Sequence, residues 1–153
     1  MALLGDGVNI AYEGGSPADW IELTDLLDLP MPPAPVADKL ETTVHGTDGY
    51  KTYGLSLRDV PDITATFQFE AGGSSATAHL AMIAALEAQT ELTWLIEVPS
   101  NTAKTLFINW QFTGYVNKAD ISTPINGWQT MTLGIMYSGS YAFTSTPAAT
   151  KIT

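Results

Sequence analysis

The sequence predicts a mainly β chain, an antiparallel β-sandwich or open barrel with one packed α-helix (about residues 75–89) and a long extended loop (about 38–58). Three observations predict it. Apolar and polar residues alternate in several separated segments, a single segment has helical spacing, and no βαβ alternation occurs. At 153 residues one domain is expected, burying roughly two-thirds of the surface its unfolded chain would expose.

In order, Val8 to Glu13 reads as a short first strand closed by the turn Gly14-Gly15-Ser16-Pro17. Trp20 to Leu29 follows, with Ile21, Leu23, Leu27 and Leu29 on alternate positions and Asp25 interrupting that face. Pro30, Pro32, Pro33 and Pro35 remove backbone donors at close intervals, so PMPPAP is expected to be an extended connector. The loop 38–58 is polar, glycine-punctuated and rich in threonine, with too few apolar residues to bury itself in its own domain. It leads into DITATFQFE, in which Ile63, Ala65, Phe67 and Phe69 face one way and Asp62, Thr64, Thr66, Gln68 and Glu70 the other, the pattern of a half-buried strand.

Gly72-Gly73 ends that strand, Ser74 or Ser75 is placed to cap the helix, and Ala76, Leu80, Ile83, Ala84 and Leu86 form its expected apolar stripe. Leu92, Trp94, Ile96 and Val98 then alternate with Thr93, Leu95 and Glu97. A long strand bent at Gly114 sets Leu106, Ile108, Trp110, Phe112 and Val116 against Thr105, Asn109, Gln111, Thr113 and Asn117. In the last strand Met131, Leu133, Ile135 and Tyr137 oppose Thr130, Thr132, Gly134 and Met136. The tail 144–153 is expected to be poorly ordered unless a neighbour holds it.

Sixteen acidic against six basic groups give a net charge of -10, which argues against gripping nucleic acid through its phosphates. The charge is also segregated. Residues 1–37 carry Asp6, Glu13, Asp19, Glu22, Asp25 and Asp28 with no Lys or Arg, whereas the loop holds Lys39, Lys51 and Arg58, half of all basic residues. With no cysteine, disulfides and thiolate metal sites are excluded. No apolar run approaches the ~20 residues of a membrane-spanning helix, so no membrane insertion is expected.

Convergent reactive groups are scarce. His45 and His79 have neither another histidine nor a spaced carboxylate set beside them, and no phosphate-loop, dinucleotide or nucleophile-elbow motif is present, so no catalytic, cofactor or metal site is assigned. Asp48, Asp59 and Asp62 read as turn and strand-entry residues before they read as an acid-base cluster. Trp94 and Trp110 lie on apolar rows, where core packing accounts for them.

Glu41-Thr42-Thr43, the turn from His45 to Gly49, Gly54-Leu55 and Asp59 ahead of an alternating strand resemble the long-loop-and-strand segment of the major tail tube proteins of long-tailed bacteriophages. Gly114-Tyr115-Val116 and the later WQTMTLGIMYSGS are similar to that family's closing strands, and the likeness covers most of the chain. Two departures limit what carries over. Gly46 stands where an acidic residue is expected, and no immunoglobulin-like domain follows within these residues, so His45 receives no specific contact.

The resemblance implies a structural virion protein rather than an enzyme. Its copies would form rings, hexameric in the family, that stack into a tube for DNA ejection. The implied partners are the chain itself and the tape measure, tail tip and terminator proteins. DNA would pass through without specific binding, in a tail assembled in the host cytoplasm. On that reading the inter-ring contact loop comprises Lys39, Glu41, Thr42, Thr43, His45, Asp48, Lys51, Tyr53 and Arg58. Lumen-lining candidates are Asp62, Thr64, Thr66, Gln68 and Glu70, then Glu97, Asn109, Gln111 and Thr113. A monomeric β-sandwich binding module with a mobile surface loop is the alternative, and a hydrolase using Asp48, Asp59 or His45 is a third reading.

Overall fold

A computed structural model of the chain describes residues 7–14, 19–29, 36–44, 49–69 and 76–152. Among the described residues nine strands and one helix occur in the order β1 (Asn9–Gly14), β2 (Asp19–Glu22), β3 (Leu26–Asp28), β4 (Val36–Glu41), β5 (Tyr53–Asp59), β6 (Ile63–Gln68), α1 (Ala76–Ala88), β7 (Glu91–Pro99), β8 (Phe107–Ser122) and β9 (Thr130–Ala148). Seven strands make one antiparallel sheet in the order β2-β1-β7-β8-β9-β6-β3, and β4 and β5 pair separately as a hairpin. The fold is therefore mainly β, a curled half-barrel with one helix, as the alternation pattern predicts.

The segment Trp20 to Leu29, which reads as one interrupted strand, is two strands at the two edges of the sheet. Asp25 is the reason. Its φ of 62° breaks the extended backbone, and the alternation restarts out of phase, so that Leu23 and Leu26 go inward while Leu27 is exposed. Three residues join Glu22 to Leu26, a span of at most about 14 Å. Seven flat strands would hold their edges about 29 Å apart, so the sheet has to curl. Hydrogen bonds on both sides fix the link: Leu23 N–H donates to Ile10 O at 3.0 Å, and Gln68 N–H donates to Asp25 O at 2.8 Å.

The inner face of the curl holds the core. Ile10, Trp94, Ile96, Phe112, Met131, Leu133 and Ile135 are buried there with Ile63, Ala65, Phe67 and Phe69, the four inward positions expected of β6. Trp94 Nε1–H donates to Gly114 O at 3.3 Å. A Cβ on Gly114 would lie about 2.5 Å from Met136 O, so glycine at this point of β8 is a requirement of close strand packing.

The helix occurs where expected, but on a different face. His79 and Met82 go inward with Ala76, whereas Leu80 and Ala84 from the expected stripe are exposed. Ala78, Ala81 and Ala85 flank the buried row, small enough to let the helix approach the sheet. His79 is fully buried; its Nε2 lies 2.9 Å from Thr24 O, and its ring packs on Phe67 and Phe69. This histidine therefore ties α1 to the link between the sheet edges.

Two further expectations are corrected. The extended loop is the β4–β5 hairpin, knitted by Thr42 N–H to Thr52 O at 2.8 Å and Thr52 N–H to Thr43 Oγ1 at 3.0 Å. The expected loose tail continues β9 to Ala148, paired with Phe107, and then folds back to bury Ile152 against Ala11 and Leu95. The glycine-proline turn at 15–17, the proline connector at 30–35 and the caps Ser74 and Ser75 lie outside the described residues.

Candidate functional site: the hairpin and the outer face of the sheet

Cross-strand register sorts the hairpin's side chains. Ala37 opposes Arg58, Lys39 opposes Leu55, and Glu41 opposes Tyr53, so these six share one face. Lys39 Nζ stands 3.6 Å from the Tyr53 ring centroid, and Lys51 Nζ lies 3.9 Å from Glu41 Oε2 at the surface. The register shift around Asp38, whose N–H donates to Ser56 Oγ at 3.0 Å, leaves Leu57 93% exposed. Leu55 is 78% exposed, and Tyr50, Val44 and Leu40 are also exposed. Thr42 and Thr43 serve the hairpin itself, while His45 and Asp48 lie outside the described residues.

The outer face of the main sheet carries both polar rows expected from the alternation. Thr66 pairs with Thr132, which pairs with Asp120; Gln68 pairs with Thr130, which pairs with Ser122. Thr64 is exposed, and Asp62 accepts a hydrogen bond from Asn117 Nδ2 at 3.2 Å. Gln111 is exposed on the same face, Thr113 donates to Ser138 O, and Glu70 lies outside the described residues. The strand alternation thus finds polar rows on one face, which at Ala11, Leu95 and Trp20 gives way to an apolar patch covered by Ile152.

Glu97 and Asn109 share that face but are not open to solvent. Glu97 is 1% exposed because the chain end crosses it, and Asn109 opposite is 4% exposed. Glu97 Oε2 accepts the Thr150 hydroxyl at 2.7 Å, and Oε1 accepts Lys151 N–H at 2.7 Å. Both residues are thereby removed from any exposed lining. Nothing in the sequence near Glu97 signals this, since its partners lie more than fifty positions away. On the next row Glu22 pairs with Ala11, which pairs with Leu95. Burial, and secondarily the negative charge of Glu97, push the Glu22 carboxyl above its usual range.

Two clefts open beside the helix. One, about 570 Å³, is lined by Leu86, Tyr115, Val116 and Met136; the other, about 420 Å³, by Tyr12, Ile21, Glu22, Ala78 and Ala81. Among the described residues neither gathers catalytic groups. Among the described residues no set of three or more His, Cys, Asp or Glu side chains is placed to hold a metal ion, and no helix is long and apolar enough to cross a membrane. Asp59 sits at the end of the hairpin and Asp62 at the start of β6, with no histidine bonded to either among the described residues.

No protein-family model matches the chain, and no curated protein sequence does. Solved structures do match in fold. The chain is similar to the tail of an empty gene transfer agent particle refined with C6 symmetry, at TM-score 0.69 and 12% identity, covering 94% of this chain and 100% of that one. It is similar to the SPP1 tail tube at TM-score 0.66 and 10% identity, covering 94% of this chain and 79% of that one. A sheath/tube terminator of an extracellular contractile injection system matches at TM-score 0.67 and 9% identity, covering 95% and 98%. The likeness is one of fold, and it is the fold of tail tube proteins that the sequence motifs resemble.

Proposed function

We propose that this chain is a structural, non-enzymatic subunit of a tail tube, assembling with copies of itself into rings that stack into a conduit for DNA. The observation that carries this reading is the β4–β5 hairpin: among the described residues it pairs with no strand of the main sheet, it holds half of the chain's basic residues, and it leaves Leu55 and Leu57 largely exposed. A two-stranded hairpin with large apolar side chains in water is marginal alone. Contact with another copy removes that cost. Similarity in fold to a gene transfer agent tail with C6 symmetry supports sixfold rings.

In this reading Lys39, Glu41, Thr42, Thr43, Lys51, Tyr53 and Arg58, together with His45 and Asp48, form the contact between rings. The outer face of the sheet, with Asp62, Thr64, Thr66, Gln68, Gln111 and Thr113, lines the lumen, and Glu70 is assigned to the lining with them. The described residues of this face are mostly uncharged, with Asp120 paired to Lys118 at 3.5 Å, which suits a conduit that does not hold its cargo. Phosphates are not bound, and repulsion acts over about 8 to 10 Å at physiological salt. Terminator, tape measure and tip proteins would cap and fill the tube in a virion built in the host cytoplasm.

Negative-stain electron microscopy of the purified chain tests the reading. Rings or tubes are expected, and Leu57→Asp should leave a folded chain without them. A wild-type chain that stays a monodisperse monomer at high concentration overturns the proposal in favour of a β-sandwich binding module.

A further inference from the structure

We infer that Asn126 and Gly127, in the loop between β8 and β9, form a self-modification site, at which water replaces the Asn126 side-chain amide by an acid. The inference does not rest on the tube reading.

The chain holds five asparagines, at positions 9, 101, 109, 117 and 126, and only Asn126 is followed by glycine. The residues after the other four are Ile10, Thr102, Trp110 and Lys118, whose side chains screen the peptide nitrogen next to the asparagine. Glycine has no Cβ and the widest choice of backbone angles, so its nitrogen can approach the preceding side chain.

The fold sharpens this difference. Asn9 and Asn109 are paired in the sheet, which holds their backbone extended, and Asn109 is buried as well. Asn117 sits in β8 and donates to Asp62. Asn101 lies in a turn with both amide atoms engaged: Nδ2 donates to Thr105 Oγ1 at 2.9 Å, and Oδ1 accepts Thr105 N–H at 3.0 Å. Residues 123–129, in contrast, are all exposed. Among the described residues no hydrogen bond engages the Asn126 side chain or the Gly127 N–H, so the two groups are free to meet.

The step balances with water as the sole co-reactant. Hydroxide takes the Gly127 amide proton, and the nitrogen bonds to Asn126 Cγ. The Cγ–Nδ2 bond breaks, and Nδ2 leaves as ammonia with a proton from water, which regenerates hydroxide. Water then opens the cyclic imide. Breaking its bond to the side-chain carbonyl leaves aspartate; breaking its bond to the main-chain carbonyl leaves isoaspartate, with an extra methylene in the backbone. Either product sets a carboxylate between Ile125, which is fully exposed, and Trp128, which is 77% exposed, in a loop that carries no charge before the reaction.

The test holds the purified chain at mildly alkaline pH and follows the exchange of amide for acid at each asparagine by peptide mass mapping. The Asn126 peptide should convert at least about tenfold faster than any of the other four, with ammonia released in step. Asn126→Gln should remove that ammonia, and Gly127→Ala should slow its release at least about tenfold. In urea, where the bonds that hold Asn101 are gone, conversion at Asn101 should speed up, while the rate at Asn126 should change by less than about threefold. Conversion at Asn126 no faster than at Asn101 in the folded chain overturns the inference. So does an Asn126 rate that rises in urea as steeply as that of Asn101, because the folded loop would then be protecting the site.

Discussion

The backbone N–H of Lys151 donates to Glu97 Oε1 at 2.7 Å, fastening the end of the chain across the outer face of β7. Glu97→Ala leaves that N–H and the Thr150 hydroxyl without their acceptor and uncovers Leu95. The expected loss is about 1–3 kcal/mol by urea unfolding, with faster hydrogen exchange at Lys151. Unchanged exchange there would mean that the strap does not depend on the carboxylate.

His79 joins α1 to Thr24 and fills space between Phe67 and Phe69. Replacing it with alanine removes the hydrogen bond and leaves a cavity, at a cost of about 2–4 kcal/mol. His79→Gln, which keeps a donor but not the ring, should fall between the two. Equal stability of all three proteins in denaturant would contradict the tether.

Gly114→Ala sets a methyl group against Met136 O, where neither backbone can give way easily. Overpacking of this kind costs about 1–3 kcal/mol. Gly54→Ala in the hairpin meets only Thr42 Cγ2 at 3.6 Å and should change the unfolding midpoint little. The contrast between the two substitutions is the measurement; similar effects would refute the close approach.

Glu22 has a raised folded-state pKa, first from burial and then from Glu97. Its folded form therefore binds a proton more tightly than its unfolded form, and the charged side chain lowers stability as pH rises through that interval. Glu22→Gln should be more stable than wild type at neutral pH. The gap should close as pH falls below the ordinary glutamate range. Parallel urea titrations at several pH values check this, and a gap that widens in acid would reverse the sign.

Lysine at Thr64, Thr66 and Gln68 together puts three cations on the outer face without touching the core. Folding should be little affected, since isolated surface changes stay within about 0.5 kcal/mol. DNA delivery by particles carrying the variant should fall. Particles that deliver normally would show that this face does not line the passage.

How much of this was legible in the sequence depended on whether a residue's partner was local. Strand β6 was readable because Ile63, Ala65, Phe67 and Phe69 need only a period of two to declare their face. Residues 130–137 were readable for the same reason. The hairpin's need for a partner showed in its composition, but its pairing did not, because threonine and glycine suit a loop as well as a strand. Asp25 interrupts the alternation visibly, yet nothing local shows that the chain changes sheet edge there. His79 and Glu97 take their roles from Thr24 and from residues 150–151, contacts that no periodicity encodes. The helix face follows His79, Met82 and the small residues Ala78, Ala81 and Ala85 that allow close packing, a preference that a stripe of leucine and isoleucine does not reveal.

The link through Leu23, Thr24 and Asp25 also constrains the order of events in folding. Its two flanking strands are neighbours in sequence and the outermost strands of the sheet, so β2 and β3 can both dock only after β1, β7, β8, β9 and β6 have lined up between them. Of those ladders, β7–β8 and β8–β9 join neighbours in sequence, whereas β1–β7 and β6–β9 join distant parts of the chain and form slowly. The clasp therefore shuts last, and until it does both edges of the sheet remain open to strands from other copies.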